Sequence, residues 1–215
     1  PLRTPHAAAH GVERRRRLVL VRAELADGSA GWGECSALAE PTYTAEHTAG
    51  AWLVLADHLV PAALAGHDAG VVGHPMATHG LEAALADARL RRRGRRLADD
   101  LAAGQAAPAA ALPVTAVVGR HDDVDGLLAT VAERIAAGVA MVKLKVGPRP
   151  GDLDGVAAVR SAWPGLRLAV DANGTLDGRA VSILASLDLV YLEQPFPADD
   201  LLAHAAAARR HEVPI

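Results

Sequence analysis

Four side chains in this sequence, two lysines and two carboxylates, are of the types that move protons or bind metal ions. Lys143 and Lys145 lie one residue apart in the apolar run MVKLKVG, and Asp171 and Glu193 follow the apolar runs LRLAV and LVYL. A lysine that has lost its charge can remove a proton from carbon. Two carboxylates directed at one point share a proton or bind a cation. The set predicts an acid/base site with a metal ion beside it.

The chain uses lysine at these two positions alone. Of its 22 basic residues, Lys143 and Lys145 are the only lysines, and the rest are arginine. Arginine stays protonated and cannot act as a base, whereas a lysine beside another cation in a partly dry site has a depressed pKa. We therefore predict that the two lysines lower each other's pKa and that one is a general base. The alternative is a half-exposed strand with two surface lysines.

The spacing of the acidic residues matches a repeating strand and helix unit. Asp171 follows Lys145 by 26 residues, and Glu193 follows Asp171 by 22. If each residue ends a strand of one parallel sheet, all three lie at equivalent heights. Oxygen ligands without cysteine or clustered histidine favour Mg²⁺, with Mn²⁺ as the other possibility. The alternative role for either acid is a helix cap or a loop ion pair.

A lysine base beside a divalent cation suits one reaction class, the removal of a proton alpha to a carboxylate. The barrier is the weak acidity of that carbon, and the positive charge of the ion stabilises the enediolate that forms. The expected partner is therefore a small-molecule carboxylate substrate.

The elements that would position these residues are successive β/α units. Short apolar strands separated by helical segments predict a parallel sheet or barrel. The strands are predicted at residues 113–119, 141–147, 166–174 and 189–195, and VPI at 213–215 is the predicted start of a fifth. A closed barrel takes about 250 residues. The sequence after the linker therefore predicts an incomplete barrel, and we expect a truncated chain.

The sequence of the first half predicts an α+β unit. Residues 18–25 and AGWGECSAL predict a hairpin around Asp27-Gly28. A helix is predicted from a cap at Thr44 to Pro61, and a second ends before Gly94. Trp32 and Trp52 are predicted to lie in the core. The Ala/Pro-rich stretch at 102–113 is the predicted connection to the second unit.

The composition of the chain limits the binding partners and the cellular compartment that we expect for it. A net charge of −3 and a basic run limited to residues 14–17 argue against nucleic-acid binding. We find no signal-peptide pattern and no apolar run that approaches the roughly 20 residues of a membrane span. The single cysteine, Cys35, fits a reducing compartment. These features predict a cytoplasmic protein without a membrane partner, and a homo-oligomer is possible.

The segments VKLKVG, VDANG and YLEQP, preceded by GWGECSALAEPTYTAE, resemble the enolase superfamily. The resemblance lies in the branch of o-succinylbenzoate synthases and N-acylamino acid racemases. It implies an α/β fold, with an α+β capping domain at 1–110 followed by a partial (β/α)₇β TIM-like barrel at 111–215. It also implies that the loops at 4–11 and 36–43 select the substrate.

The same resemblance implies a role for each site residue. Lys145 would be the catalytic acid/base and Lys143 its electrostatic partner. Asp171 and Glu193 would be ligands of Mg²⁺, and Asn173 would bind substrate or support the site. The superfamily's third carboxylate ligand and second catalytic lysine come later in its pattern and are not in this sequence.

The resulting hypothesis is an o-succinylbenzoate synthase-like lyase of menaquinone biosynthesis, which dehydrates a cyclohexadiene carboxylate. One alternative is an N-acylamino acid racemase or dipeptide epimerase of the same superfamily. Another is an inactive truncated fragment that retains a binding role. Dehydration can run from one lysine, whereas racemisation needs a lysine on each face of the carbon.

Overall fold

The computed structural model describes residues 2–3, 6–8, 11–102 and 109–215. Parts of the predicted loop at 4–11 and of the predicted connection at 102–113 lie outside these ranges. The chain divides into two compact units, Arg14–Ala110 and Ala111–Ile215, and a short N-terminal hairpin is grouped with the second. That hairpin pairs β1 (His6–Ala8) with β2 (Gly11–Glu13) and was not predicted.

The predicted hairpin of the first unit is confirmed. β3 (Val19–Glu24) pairs antiparallel with β4 (Ala30–Cys35). Gly28 in the connecting turn has φ +83°, a left-handed conformation that glycine adopts without steric cost. Cys35 at the end of β4 is a buried free thiol whose pKa is raised by burial, so it is a poor nucleophile.

The first predicted helix has different ends from those observed. Helix α1 (Thr48–Val54) starts after Thr44, continues through a π-helical turn at Leu55–Leu59, and leads into α2 (Val60–Ala65). The Thr44 hydroxyl donates to a backbone carbonyl two residues on and caps no helix. Pro61 was the predicted end, but it lies in the first turn of α2 after the π-helical turn, where proline is tolerated.

This helical run corrects the expectation that no apolar run of the chain approaches the length of a membrane span. Residues Thr48–Ala65 are long and apolar enough to cross a membrane by length and composition alone. A core helix passes the same test, and Ala51, Leu55 and Leu59 of this run are buried in the core of the first unit.

The core of the first unit is built from alanine, valine, leucine and Cys35 rather than tryptophan. Helix α3 (Pro75–Arg92) lies against β4 so closely that a Cβ on Gly33 would be 1.9 Å from the carbonyl oxygen of Gly80. Trp32 alternates with the glycines of β4 and points to the opposite face. The prediction that Trp32 and Trp52 are core residues is wrong, because they are 53% and 59% exposed. A short α4 (Leu97–Leu101) follows.

The second unit is a four-stranded parallel sheet with helices between its strands. The strands are hydrogen-bonded in chain order, as successive β/α units predict. The elements are β5 (Thr115–Val118), α5 (Val124–Ala136), β6 (Met141–Lys145), α6 (Pro150–Ala162), β7 (Leu168–Asp171), α7 (Gly178–Ala185), β8 (Leu192–Glu193) and α8 (Leu201–Arg210). Beyond α8, the carbonyl of Pro214 accepts the N–H of Leu192 at 2.8 Å.

The two faces of this sheet differ in chemistry. Val142, Leu144 and Val146 are buried in one core cluster with residues of α5, α6 and α7. Side chains alternate along a strand, so Lys143 and Lys145 lie on the face away from the helices. The sequence prediction for this strand is confirmed.

Hydrogen bonds from one arginine hold the segments at the amino ends of β7 and β8. The guanidinium of Arg160, in the last turn of α6, donates to five backbone carbonyls at 2.6 to 3.4 Å. The acceptors lie in the segments that precede the two strands: Trp163, Pro164, Leu166, Leu187 and Asp188. The sheet is therefore held at the end opposite to Lys145, Asp171 and Glu193.

Candidate active site

The strand register brings three of the predicted residues into one row. Lys145 of β6 is the register partner of Asp171 in β7, and Asp171 is the partner of Glu193 in β8. All three are the last residues of their strands. The equal heights that the residue spacing predicts are therefore observed, and this row is the candidate active site.

Each lysine is held by carboxylates. Lys145 Nζ lies 2.5 Å from Asp171 Oδ2 and donates to Asn173 Oδ1 at 3.0 Å. Lys143 Nζ reaches across the sheet to Glu193 Oε2 at 2.6 Å and is 3.7 Å from Asp171 Oδ2. The structure thus brings all five predicted site residues together. Asp171 is the most enclosed of them, with 2% of its side chain exposed.

The expected effect of the lysines on each other is wrong for Lys143. Burial lowers the pKa of Lys143, but the hydrogen bond and the charge of Glu193 outweigh it, and the pKa lies above its ordinary value. The cause is that the ammonium of Lys143 lies 2.6 Å from Glu193 Oε2 and 3.7 Å from Asp171 Oδ2, and both negative charges favour its protonated form. In this arrangement Lys143 is a charged partner rather than a base.

Asn173 and Gln194 are held in unusual backbone conformations. Their φ angles are 47° and 42°, in the left-handed region that non-glycine residues seldom adopt. The N–H of Asn173 donates to Asp171 Oδ1 at 3.0 Å, and the N–H of Gly174 donates to the carbonyl of Gln194 at 2.7 Å. The turns after β7 and β8 therefore support each other, and the first of them also orients the Asp171 carboxylate.

Asp171 and Glu193 have the ligand chemistry that a divalent ion requires. Asp171 and Glu193 both approach the ammonium of Lys143, so both are directed at one positive charge. Carboxylate oxygens are the ligands that Mg²⁺ prefers, and Mg²⁺ commonly keeps several waters beside one or two carboxylates. Among the residues that the structure describes, no group of three or more His, Cys, Asp or Glu is arranged to hold a metal ion.

One buried ion pair next to the site was not predicted. Arg120 follows β5 and pairs with Asp152 in the first turn of α6, with Nε 2.8 Å from Oδ2. Both residues line a cavity of about 270 Å³ that Lys145 also lines. The only local signal is an arginine that follows a strand-ending Val-Gly pair, a pattern that is typical of an ordinary turn.

Comparison with known families gives this geometry a context. The family described as mandelate racemase / muconate lactonizing enzyme, N-terminal domain, matches residues 1–101. The family described as enolase C-terminal domain-like matches residues 126–215. The chain belongs to the enolase superfamily. Its fold is therefore a superfamily capping domain followed by a partial barrel, as the sequence motifs predict.

Its superfamily relatives include a racemase and a synthase. The chain is 36% identical over 229 residues to an N-succinylamino acid racemase of Amycolatopsis sp, a match that covers 100% of this chain and 61% of the relative. It is 31% identical over 231 residues to an o-succinylbenzoate synthase of Geobacillus stearothermophilus, covering 100% and 59%. These relatives are enzymes, which confirms the predicted relationship to superfamily lyases and racemases.

A solved structure supports the same superfamily fold. A probable mandelate racemase of Alicyclobacillus acidocaldarius superposes with a TM-score of 0.82 and is 35% identical. The match covers 100% of this chain and 60% of that one. The chain thus spans about 60% of the length of the superfamily relatives that it matches.

Proposed function

We propose that this chain carries the proton-abstracting site of an o-succinylbenzoate synthase-like lyase, which dehydrates a cyclohexadiene carboxylate in menaquinone biosynthesis. One observation carries the proposal. The ammonium of Lys145 donates to Asp171 Oδ2, and both residues belong to a row of strand ends that also contains Glu193. A potential base and two potential metal ligands are therefore adjacent. The protein is proposed to act in the cytoplasm on a small-molecule carboxylate, and a homo-oligomer is compatible with the proposal.

In this proposal Lys145 removes the alpha proton of the substrate. Asn173 accepts a hydrogen bond from Lys145 and so orients its amine. Lys143 stays protonated beside Glu193 and adds positive charge near the developing negative charge. Asp171 and Glu193 would hold Mg²⁺, which superfamily members use. When bound, the ion supplies the charge that stabilises an enediolate.

Racemisation of an N-acylamino acid is the second candidate, favoured by the 36% identity to an N-succinylamino acid racemase. The two reactions share abstraction of the alpha proton and differ in the step after it. Dehydration expels a leaving group, whereas racemisation returns a proton from the other face. The described residues contain Lys143 and Lys145 on the same strand, which supplies one face.

Exchange of the alpha proton in D₂O tests the shared step. The assay uses the cyclohexadiene carboxylate and an N-succinylamino acid, with Mg²⁺ present. It is run on the 215-residue chain and on the longest natural polypeptide that contains it. Lys145→Arg keeps the charge and cannot act as a base, so we expect exchange to fall about 10²- to 10⁴-fold. Lys143→Arg, the matched control, should retain more exchange because its proposed role needs only positive charge.

The products separate the candidates. Formation of o-succinylbenzoate supports the lyase, and inversion of the amino acid without it supports the racemase. Retained exchange in Lys145→Arg would exclude Lys145 as the base. We expect weak Mg²⁺ binding and negligible turnover from the 215-residue chain alone, because two carboxylates leave most of the coordination to water.

A further inference from the structure

The backbone that leaves Lys145 is held from two sides at Gly147. The N–H of Gly147 donates to Asp152 Oδ2 at 2.7 Å. The guanidinium of Arg120 also lies against this residue, and its carbon would be 3.1 Å from a Cβ at this position. Gly147 is buried, and any side chain here would push the guanidinium away. We call Arg120, Gly147 and Asp152 the clamp.

The ion pair within the clamp is enclosed and tightly placed. The side chains of Arg120 and Asp152 are 14% and 8% exposed. Arg120 Nε lies 2.8 Å from Asp152 Oδ2, yet the buried Nε makes no aligned hydrogen bond to any residue that the structure describes. The guanidinium is therefore paired with Asp152 by charge, and it lies against Gly147. Arg149 also approaches Asp152, but at 3.5 Å and half exposed.

The clamp joins the ends of two strands through a helix. Arg120 follows β5, Gly147 follows β6, and Asp152 lies in the first turn of α6. The cavity of about 270 Å³ beside these residues is also lined by Lys145 and Val146. Close packing therefore does not fill the space next to this segment. Val146 is buried and its N–H donates to the carbonyl of Asp171 at 3.0 Å, so the part of this segment that depends on the clamp is the backbone that follows, at Gly147.

We propose that Arg120, together with Asp152, is a positioning residue for Lys145. It holds the segment 146–147 so that the amine keeps its place in the row with Asp171 and Glu193. The proposal rests on the proposed function, because it assigns Lys145 the reacting amine. Arg120 touches neither Asp171 nor Glu193 in any contact described, so its effect passes through the backbone at Gly147.

Two single variants and their combination test the clamp. Arg120→Gln removes the charge and the planar fork, and Gly147→Ala places a methyl group 3.1 Å from the guanidinium carbon, so that the guanidinium must shift by a few tenths of an ångström. In the longest natural polypeptide that contains this chain, we expect each to lower kcat for proton exchange about tenfold or more, with KM within about twofold, because a small misplacement of a reacting group is costly. The double variant should resemble either single variant, since both break one contact.

Arg160→Gln is the matched control. Arg160 is also an arginine that binds loops near α6, but at the opposite end of the sheet. The Arg160→Gln variant should have a lower urea midpoint of unfolding and an unchanged kcat in the folded enzyme. If Arg120→Gln and Gly147→Ala behave like Arg160→Gln, with lower midpoints and unchanged kcat, the clamp is only structural and the proposal is overturned.

Amide hydrogen exchange separates this proposal from the proposed function. If the unaltered longest natural polypeptide that contains this chain exchanges no substrate proton, the proposed function fails while the clamp remains testable. Arg120→Gln should then speed exchange of the amides at 145–147 at least about tenfold, with no change at β8. Unchanged exchange at 145–147 in that variant would overturn the clamp whatever the enzyme does.

Discussion

Glu46 is a buried acidic residue of the first unit, and only 4% of its surface is exposed. Its oxygens accept the backbone N–H groups of Met76 and Ala77, each at 2.8 Å. These amides begin α3 and have no acceptor within the helix. A negative charge also suits the positive end of the helix dipole. Glu46 therefore caps a helix that starts about 30 residues later in the chain.

We expect Glu46→Gln to destabilise the protein by about 1 to 3 kcal/mol, because the amide group presents a donor to one of the two N–H groups. The free energy of unfolding in urea measures the effect. Glu82 on α3 provides the control, and Glu82→Gln should change stability by less than about 0.5 kcal/mol. Equal effects at the two positions would contradict the capping role.

Asp87 should contribute a pH-dependent part of the stability. The N–H of Trp32 and then Arg91 lower the pKa of Asp87 below its ordinary value. A carboxylate with a lowered folded pKa stabilises the fold above the unfolded pKa of about 3.9, and this stability disappears as pH falls through the folded pKa. The stability difference between the native protein and Asp87→Asn should therefore be larger at about pH 6 than near pH 2.5.

Urea unfolding at the two pH values checks this prediction. Asp57, exposed on the π-helical turn, is the control. The change with pH should be larger for Asp87→Asn than for Asp57→Asn. A difference for Asp87→Asn that stays constant with pH would mean that the carboxylate charge does not contribute.

At the scale of elements, α3 and β4 approach closely because both carry glycine at the contact. Gly33 faces Gly80, and Gly31 faces the backbone at Ala84 and Ala88. Side chains at either strand position would meet helix backbone, which cannot rotate away. This contact explains why Trp32, which alternates with these glycines along β4, lies on the face of the strand away from α3.

Gly33→Ala is expected to destabilise the protein by about 3 kcal/mol or more, since the added methyl group would overlap the Gly80 carbonyl. Thermal and urea unfolding measure the loss. Gly178→Ala is the control, because a Cβ at that position meets no atom within 4 Å. If Gly33→Ala proves as mild as Gly178→Ala, the two elements must be able to separate at little cost.

Elements with a clear local signal were predictable. The four strands of the second unit and the hairpin turn at Gly28 follow from apolar runs and turn residues. The row of Lys145, Asp171 and Glu193 followed from spacing, because parallel strands repeat one geometry. The π-helical turn, the cap by Glu46 and the Arg120 clamp did not follow. The cap and the clamp each depend on a partner about 30 residues away, which local patterns do not specify.

For the whole molecule, the candidate site belongs entirely to the second unit, while the first has a separate core. The two carboxylates of the site are proposed to bind Mg²⁺ in the folded state alone. A ligand of that kind raises the stability of the whole chain by mass action, by about 1.4 kcal/mol at ten times its dissociation constant.

Thermal unfolding in MgCl₂, compared with KCl at equal ionic strength, tests metal binding without any assay of turnover. We expect a higher unfolding temperature in MgCl₂ for the native chain. Asp171→Asn and Glu193→Gln should each reduce this shift, whereas Asp57→Asn should leave it unchanged. A shift that survives both site variants would place the bound ion elsewhere.

The row of strand ends also determines which insertions and deletions the chain can accept. Lys145, Asp171 and Glu193 are register partners across three strands. One residue added within β6 or β7 would turn every later side chain of that strand to the other face, and would exchange a charged group for an aliphatic one. Residues added between strand and helix leave that alternation intact. Homologous sequences are therefore expected to differ in length within the connecting loops and to keep constant length within these strands.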